Sequence, residues 1–201
     1  MADILYVYKK QVYVNLTNKC CARCVFCVRS KKDGVGGNDL VLERDPDTAE
    51  LKRAIDAFCF NDYDELVFCG YGEPTCALDN LIETAGYFKE NHSQTVRVNT
   101  NSLGSLYNHR DILPELVEVV DSFSISLNAP NRERYNELVR PPYENAFGEV
   151  LRFGTEAKKL GKEVVFSVVS ILSEEEIDQC RVLAEQLGIS LKVRHYIQED
   201  S

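Results

Sequence analysis

Eight cysteines occur in this chain, and four of them fall within eight residues, at positions 20, 21, 24 and 27 of the run NLTNKCCARCVFCVRS. Clustered thiols in a chain with no recognisable secretion signal point to a metal or to catalysis, and away from disulfides. Two registers are available. Cys20-x3-Cys24-x2-Cys27 offers three thiolates and leaves one metal position of a cuboidal cluster without a protein ligand, which is what binding at a metal requires. Cys21-x2-Cys24-x2-Cys27 resembles part of a ferredoxin-type run. A structural zinc site wants four ligands, usually in two spaced pairs, and no second pair stands nearby. A plain electron-transfer cluster also wants a fourth cysteine. Both of those readings need a distant residue to fold back. The remaining cysteines are scattered, and Cys59 and Cys180 are expected to be buried thiols acting as small hydrophobes.

Three further segments carry unusual polar residues. The run Gly70-Tyr71-Gly72-Glu73-Pro74 combines glycines, which let backbone approach a ligand, with a carboxylate suited to an ammonium group; it could equally be a plain turn. In Arg97-Val98-Asn99-Thr100-Asn101 the two asparagines alternate with other positions and should project to one face, unless the segment only leads into a turn at Gly104. Ser124, Ser126 and Asn128 share a face of a strand that an all-core environment would make apolar. Arg194 could clamp a carboxylate or be a surface charge, and Phe26 could be a ligand contact or a core ring.

The elements that must hold these residues follow from periodicity. Runs at 4–8 and 12–16 read as a strand hairpin turned at Lys9-Lys10. Residues 17–45 read as a long loop, which in a compact domain is usually functional. Strands are expected at 65–69, 95–99, 122–127, 163–169 and 189–197. Helices are expected at 47–60, 77–91, 111–120, 131–139, 144–160 and 174–187, with Pro141-Pro142 separating two of them. Strands alternating with helices imply parallel βαβ units. Counting from 12–16 there are six strands, which could close as an open doubly wound sheet or as a partial barrel. In either case the active groups belong at the carboxyl ends of the strands, where the polar residues lie.

Composition narrows the function classes. The 201 residues suit one domain, 1–201, with 44% hydrophobic and 27% charged residues. A net charge of −9 with only short basic clusters disfavours nucleic acid as the main partner. No stretch has the length and character of a membrane span or a signal peptide, so a cytoplasmic protein with no membrane partner is expected.

Taken together, Cys20, Cys24, Phe26 and Cys27 after the first parallel strand, GYGEP after the second, Asn-Thr-Asn after the third and SISLNAP at the fourth resemble the radical S-adenosylmethionine superfamily. In detail VNLTNKC, FCGYGEPT, VRVNTNS, SISLNAP and KVRHYI resemble its small TatD-associated members. The resemblance covers essentially the whole chain. It implies an α/β fold, a partial (βα)6 TIM-type barrel, with a cluster loop at 17–30. It also implies one oxygen-sensitive [4Fe–4S] cluster on Cys20, Cys24 and Cys27, with Cys21 a non-ligand neighbour. S-adenosylmethionine (SAM) would be the cofactor, bound by Phe26, Tyr71, Gly72, Glu73, Asn99, Asn101, Ser126, Asn128 and, more weakly, Arg194. The implied activity is reductive cleavage of SAM to methionine and a 5′-deoxyadenosyl radical that abstracts hydrogen from a substrate, with flavodoxin or ferredoxin as electron donor. With no further cysteine-rich region after the last strand, no auxiliary cluster is expected, and the open side of the barrel is expected to be closed by a large substrate such as a protein or by a partner.

Overall fold

The protein is described by a computed structural model over residues 3–8, 10–30 and 34–196. The chain begins with an antiparallel hairpin, β1 (Leu5–Tyr8) and β2 (Gln11–Val14), whose turn contains Lys10 at a φ of 63°. A small hairpin, β3 (Gly34–Val35) and β4 (Asn38–Asp39), follows inside the long connection. Next come α1 (Thr48–Asp56), β5 (Glu65–Phe68), α2 (Leu78–Asn91) and β6 (Thr95–Thr100). The chain continues through α3 (Gly104–Tyr107), α4 (Leu113–Val119), β7 (Ser122–Ser126), α5 (Arg132–Val139) and α6 (Ala146–Lys159). It finishes with β8 (Glu163–Val169), α7 (Glu174–Gln186) and β9 (Ser190–Arg194).

Strand order decides between the two closures that periodicity left open. The main sheet runs β1-β2-β5-β6-β7-β8-β9, and β2 through β9 are parallel and in chain order. A doubly wound sheet would place its first strand inside the sheet and cover both faces, leaving strands apolar throughout. Here β2, β6 and β7 alternate: Val12, Val14, Val96, Val98, Phe123 and Ile125 are buried, while Gln11, Tyr13, Arg97, Asn99, Ser122, Ser124 and Ser126 are half-buried on the other side. Helices therefore cover one face and the polar face is concave, as in a partial TIM-type barrel.

The helix-facing side forms one hydrophobic core, in which Phe68, Phe88, Phe123, Phe153 and Phe166 are buried. The rings of Phe123 and Phe153 meet edge to face at 5.4 Å. Local sequence fixes the helix ends. Asp47 and Glu50 form a capping box at α1, Ser173 and Glu176 form another at α7, and Asn131 caps α5. Helix α5 stops at Arg140, which takes the left-handed conformation ahead of Pro141.

Several expected boundaries move. The helix expected at 47–60 ends at Asp56, because Phe58 and Phe60 leave the helical path to pack their rings against each other, tilted, at 4.8 Å. Cys59 between them is exposed, contrary to the expectation of burial, whereas Cys180 is buried as expected. Helix α3 was not anticipated, since four residues show no period. The loop expected at 17–45 includes the β3–β4 hairpin, whose strands are too short to show alternation. Ile197 of the expected last strand lies outside the described residues.

Candidate functional site

The site is built where three carboxyl strand ends meet. Past β2, Asn15 is buried and joins the segments around it. Its Nδ2 donates to the Leu40 carbonyl at 2.9 Å, and its Oδ1 accepts from the Tyr71 N–H at 3.0 Å. The turn after β5 then lies directly on the cysteine loop: Gly72 N–H donates to the Thr17 carbonyl and Glu73 N–H to the Lys19 carbonyl, both at 2.8 Å. A Cβ on Gly72 would sit 2.3 Å from the Lys19 carbonyl oxygen and 2.4 Å from that of Thr17. Only glycine permits this approach. On its far side the loop is held by α5, whose Val139 and Leu138 carbonyls accept from Arg23 N–H at 3.0 Å and Val25 N–H at 2.9 Å. Its last turn is closed by Cys27 N–H on the Cys24 carbonyl and by Ser30, which bonds the Cys27 carbonyl through both its N–H and its Oγ.

All eight cysteines are free thiols. Burial pushes Cys20 and Cys24 up to about 12, so both thiols are held neutral. Cys21 faces a different neighbour. A hydrogen bond with Cys76 lowers its pKa and raises that of Cys76. The Nδ2 of Asn101 points at two neighbouring loop sulfurs, 3.5 Å from that of Cys21 and 3.9 Å from that of Cys20. Phe26 is half-buried against the core. Among the described residues no three His, Cys, Asp or Glu side chains converge closely enough to hold one metal ion.

Glu73 ties the second strand end to the third. It is 5% exposed. Its Oε1 accepts from Thr75 N–H at 3.2 Å, Thr75 Oγ1 at 2.8 Å and Thr100 Oγ1 at 2.6 Å, and its Oε2 accepts from Asn101 N–H at 2.8 Å. Burial raises its pKa, and these donors pull it back down. Tyr71 extends outward, its hydroxyl donating to the Arg29 carbonyl at 3.3 Å while the Arg29 guanidinium lies 5.2 Å over its ring.

Asn99 and Asn101 do not share one environment. Asn99 lies on the concave face of β6 and hydrogen-bonds the Cys69 thiol. Asn101 is past the strand end and turns toward the cysteine loop. Ser126 and Arg194 meet across β7 and β9 through one long bond of 3.4 Å. Asn128 is buried at a φ of 59°, and its Oδ1 has no hydrogen-bond partner among the described residues. Cys20, Cys24, Cys27, Phe26, Tyr71, Gly72, Glu73 and Asn101 thus belong to one bonded unit of loop and turn, while Asn99, Ser126, Asn128 and Arg194 stand along the concave face and its upper rim.

Sequence reasoning missed four contributors. Asn15, Thr100 and Cys76 flank recognised motifs, and only their contacts reveal them. The fourth is Arg97, at the lower end of the concave face. Its guanidinium pairs with Glu65 at 3.0 Å and donates to Gln11 at 2.9 Å, and Gln11 in turn donates to Glu65 at 2.8 Å and accepts from the Tyr13 hydroxyl at 3.0 Å. This network closes the floor beneath the polar face.

Solved structures share this architecture. SuiB of Streptococcus suis bound to its precursor peptide SuiA superposes with a TM-score of 0.67 at 18% identity, covering 96% of this chain and 40% of that one. SuiB bound to S-adenosylmethionine gives 0.65, also at 18%, covering 96% and 42%. TYW1 with a lysine–pyruvate adduct bound gives 0.61 at 14%, covering 96% and 66%. The chain therefore spans about two fifths of the length of SuiB. No curated protein matches it by sequence. Residues 14–187, from the end of β2 through α7, match the radical SAM superfamily, and the chain belongs to that superfamily of enzymes.

Proposed function

We propose that this protein binds one [4Fe–4S] cluster through Cys20, Cys24 and Cys27 and uses it to cleave S-adenosylmethionine reductively. The observation that carries the reading is the fusion of the cysteine loop with the Gly72–Glu73 turn, which brings a thiol-rich loop and a buried carboxylate to the same strand ends. The donor set fits the group. Three free thiols lie in one short loop, at a spacing that leaves one position of a cuboidal cluster without a protein ligand. Bound there, the cluster supplies one electron to the sulfonium of SAM, whose C5′–S bond breaks to give methionine and a 5′-deoxyadenosyl radical that takes hydrogen from the substrate.

The protein's own residues bind and orient. Glu73 Oε2 accepts one protein hydrogen bond and keeps capacity for the methionine ammonium, which would also favour the ionised carboxylate against its burial. Tyr71 and Gly72 carry the backbone that approaches that group, and Phe26 offers a ring to the adenine. Asn99, Asn101, Ser126, Asn128 and Arg194 offer amide, hydroxyl and guanidinium groups to the ribose and the carboxylate. The partnerless Oδ1 atoms of Asn99 and Asn128 support this, because a buried acceptor without a donor costs about 1–3 kcal/mol that a small local shift onto a ligand would recover.

We assign the chain to the TatD-associated subgroup on the motifs VNLTNKC, FCGYGEPT and SISLNAP. Residues 1–201 are read as one radical SAM core domain with a single cluster. A peptide or protein is the proposed substrate class. The concave face carries polar side chains on β2, β6 and β7, and SuiB, on the same fold, is described with a precursor peptide. A low-potential donor, flavodoxin or ferredoxin, would reduce the cluster. A reducing cytoplasm suits eight free thiols and an oxygen-sensitive centre. No helix among the described residues is long and apolar enough to cross a membrane.

The test is anaerobic reconstitution with iron and sulfide, reduction with dithionite, and assay for 5′-deoxyadenosine after adding SAM, with Cys24→Ala as control. Product in the wild type and none in the variant is the expected result. A colourless protein holding stoichiometric zinc after reconstitution overturns the reading. A cluster that shows no SAM-induced change in its EPR spectrum and makes no product indicates an electron carrier instead.

A further inference from the structure

The fold contains a polar group that neither the core nor the roles above use. Tyr135, in the first turn of α5, is 0% exposed, the largest fully buried side chain in the molecule. Its ring packs on Phe147 at 5.5 Å, yet its hydroxyl, also buried, has no hydrogen-bond partner among the described residues. A buried tyrosine normally satisfies its O–H, and leaving it unpaired costs free energy. An orphan of this kind in a well-packed core calls for a reason.

Its position supplies one. The other end of the same helix holds the cysteine loop by two backbone bonds, from Arg23 and Val25. Cys20, Cys21, Cys24 and Phe26 pack against the core cluster that includes Tyr135. Cys24 stands between Arg23 and Val25, so its place is set by carbonyls three and four positions along α5 from Tyr135.

We infer that Tyr135 is a positioning residue for the iron–sulfur centre: its hydroxyl donates to a sulfur on the core side of the cluster, either Cys24 Sγ or a sulfide beside it. The inference rests on the cluster assignment proposed above. A hydrogen bond to sulfur stabilises the more negative, reduced form, so it raises the reduction potential of the centre. The same bond gives the hydroxyl the partner it lacks in the metal-free fold, so that assembling the cluster relieves a cost already present in the core.

Tyr135→Phe tests this, because it removes one oxygen and keeps the ring on Phe147. In the metal-free protein the variant should melt at the same temperature as wild type or higher, since nothing bonded is lost. In the reconstituted protein, an EPR-monitored redox titration should show the reduced-to-oxidised ratio at a fixed potential falling roughly tenfold, about 59 mV for a one-electron couple. Independently of any substitution, wild-type protein exchanged into D2O should show a deuteron coupled to the reduced cluster, and this coupling should be missing in the variant. A metal-free variant that melts clearly lower means the hydroxyl has another partner, such as a buried water, and overturns the inference. An unchanged potential with an unchanged deuteron coupling overturns it as well. A wild-type protein that takes up no cluster sinks the cluster assignment and this inference together, whereas a cluster indifferent to the hydroxyl sinks the inference alone.

Discussion

The two walls of the concave face are built differently. On one wall, the ends of β2, β5 and β6 are cross-bonded through Asn15, Gly72, Glu73 and Thr100, at distances between 2.6 and 3.2 Å, before any ligand is present. On the other, the ends of β7, β8 and β9 are joined through backbone, Asn128 N–H to the Ser167 carbonyl at 3.2 Å and Ser170 N–H to the Arg194 carbonyl at 2.9 Å, while the side chains of Ser126, Asn128 and Arg194 share, among the described residues, one contact, Ser126 with Arg194 at 3.4 Å. The first wall is preorganised: its polar groups are satisfied by each other and hold the cysteine loop in place. The second is under-bonded, with an orphan Oδ1 on Asn128 and an exposed guanidinium. A ligand held mainly by the first wall meets fixed geometry at little reorganisation cost, while the second wall adapts to what arrives.

If the first wall is rigid, changing it should cost stability before it costs binding. Gly72→Ala pushes a methyl group against two carbonyl oxygens that are backbone and cannot swing away. We expect about 3 kcal/mol of destabilisation, the upper part of the range for overpacking, read as a fall of roughly 6–12 °C in melting temperature together with lost iron uptake. A melting temperature within a degree of wild type would show that the loop and turn are not fused as described.

Glu73→Gln is the next largest. It keeps the shape but replaces an acceptor oxygen with an amide NH2 that meets either the hydroxyls of Thr75 and Thr100 or the N–H of Asn101. The expected loss is about 1–3 kcal/mol, measured by urea unfolding of the metal-free protein. A neutral result would mean that the carboxyl is already protonated and that its hydrogen bonds carry little weight.

The second wall should behave in the opposite way. Arg194→Ala removes an exposed side chain with one long hydrogen bond, so stability should change by no more than about 0.5 kcal/mol. SAM affinity of the reconstituted protein, measured by calorimetry, should nevertheless fall by roughly tenfold, the worth of one charge-assisted hydrogen bond. A variant that lost stability and kept its affinity would reverse the roles assigned to the two walls.

The smallest effect lies outside both walls and serves as a control. Glu50, at the N-terminus of α1, is bonded by Arg44 and by the Asp47 N–H, and these hold its carboxyl down at about 2. A depressed carboxylate pKa stabilises the fold fully above the ordinary value of 4.5, and that contribution is lost as pH falls through about 2. Glu50→Gln should therefore flatten the decline in melting temperature below pH 4.5 slightly and leave the neutral-pH value close to wild type. A large effect at neutral pH would mark α1 as more than a peripheral helix.

Much of the fold was legible because local signals suffice for it. The alternation of Gln11-Val12-Tyr13-Val14 and of Ser122 to Ser126, the apolar periodicity of the helices, and the break at Pro141-Pro142 all act within a few residues. The misreadings have the same origin in reverse. A four-residue helix and two-residue strands have no period to detect, and the end of α1 depends on where Phe58 and Phe60 find aromatic partners. Similarly, Cys20, Cys24, Cys27 and the GYGEP run could be picked out by type and spacing, whereas Asn15, Thr100 and Cys76 look like ordinary neighbours until the strands are aligned.

By itself, then, the sequence determined the chemistry on offer and the order of the elements: a thiol-rich loop after the first parallel strand, a glycine–glutamate turn after the second, and polar residues at the third and fourth. Residue types and short-range spacing carry that information. Tertiary structure alone decided that the sheet curls with one polar concave face, that Asn99 and Asn101 part company, that Glu73 braces two strand ends, and that the hydroxyl of Tyr135 is buried without a partner among the described residues. Each of these depends on which residues distant in the chain come within hydrogen-bonding reach, and that is fixed only when strand register and helix packing have brought the elements together.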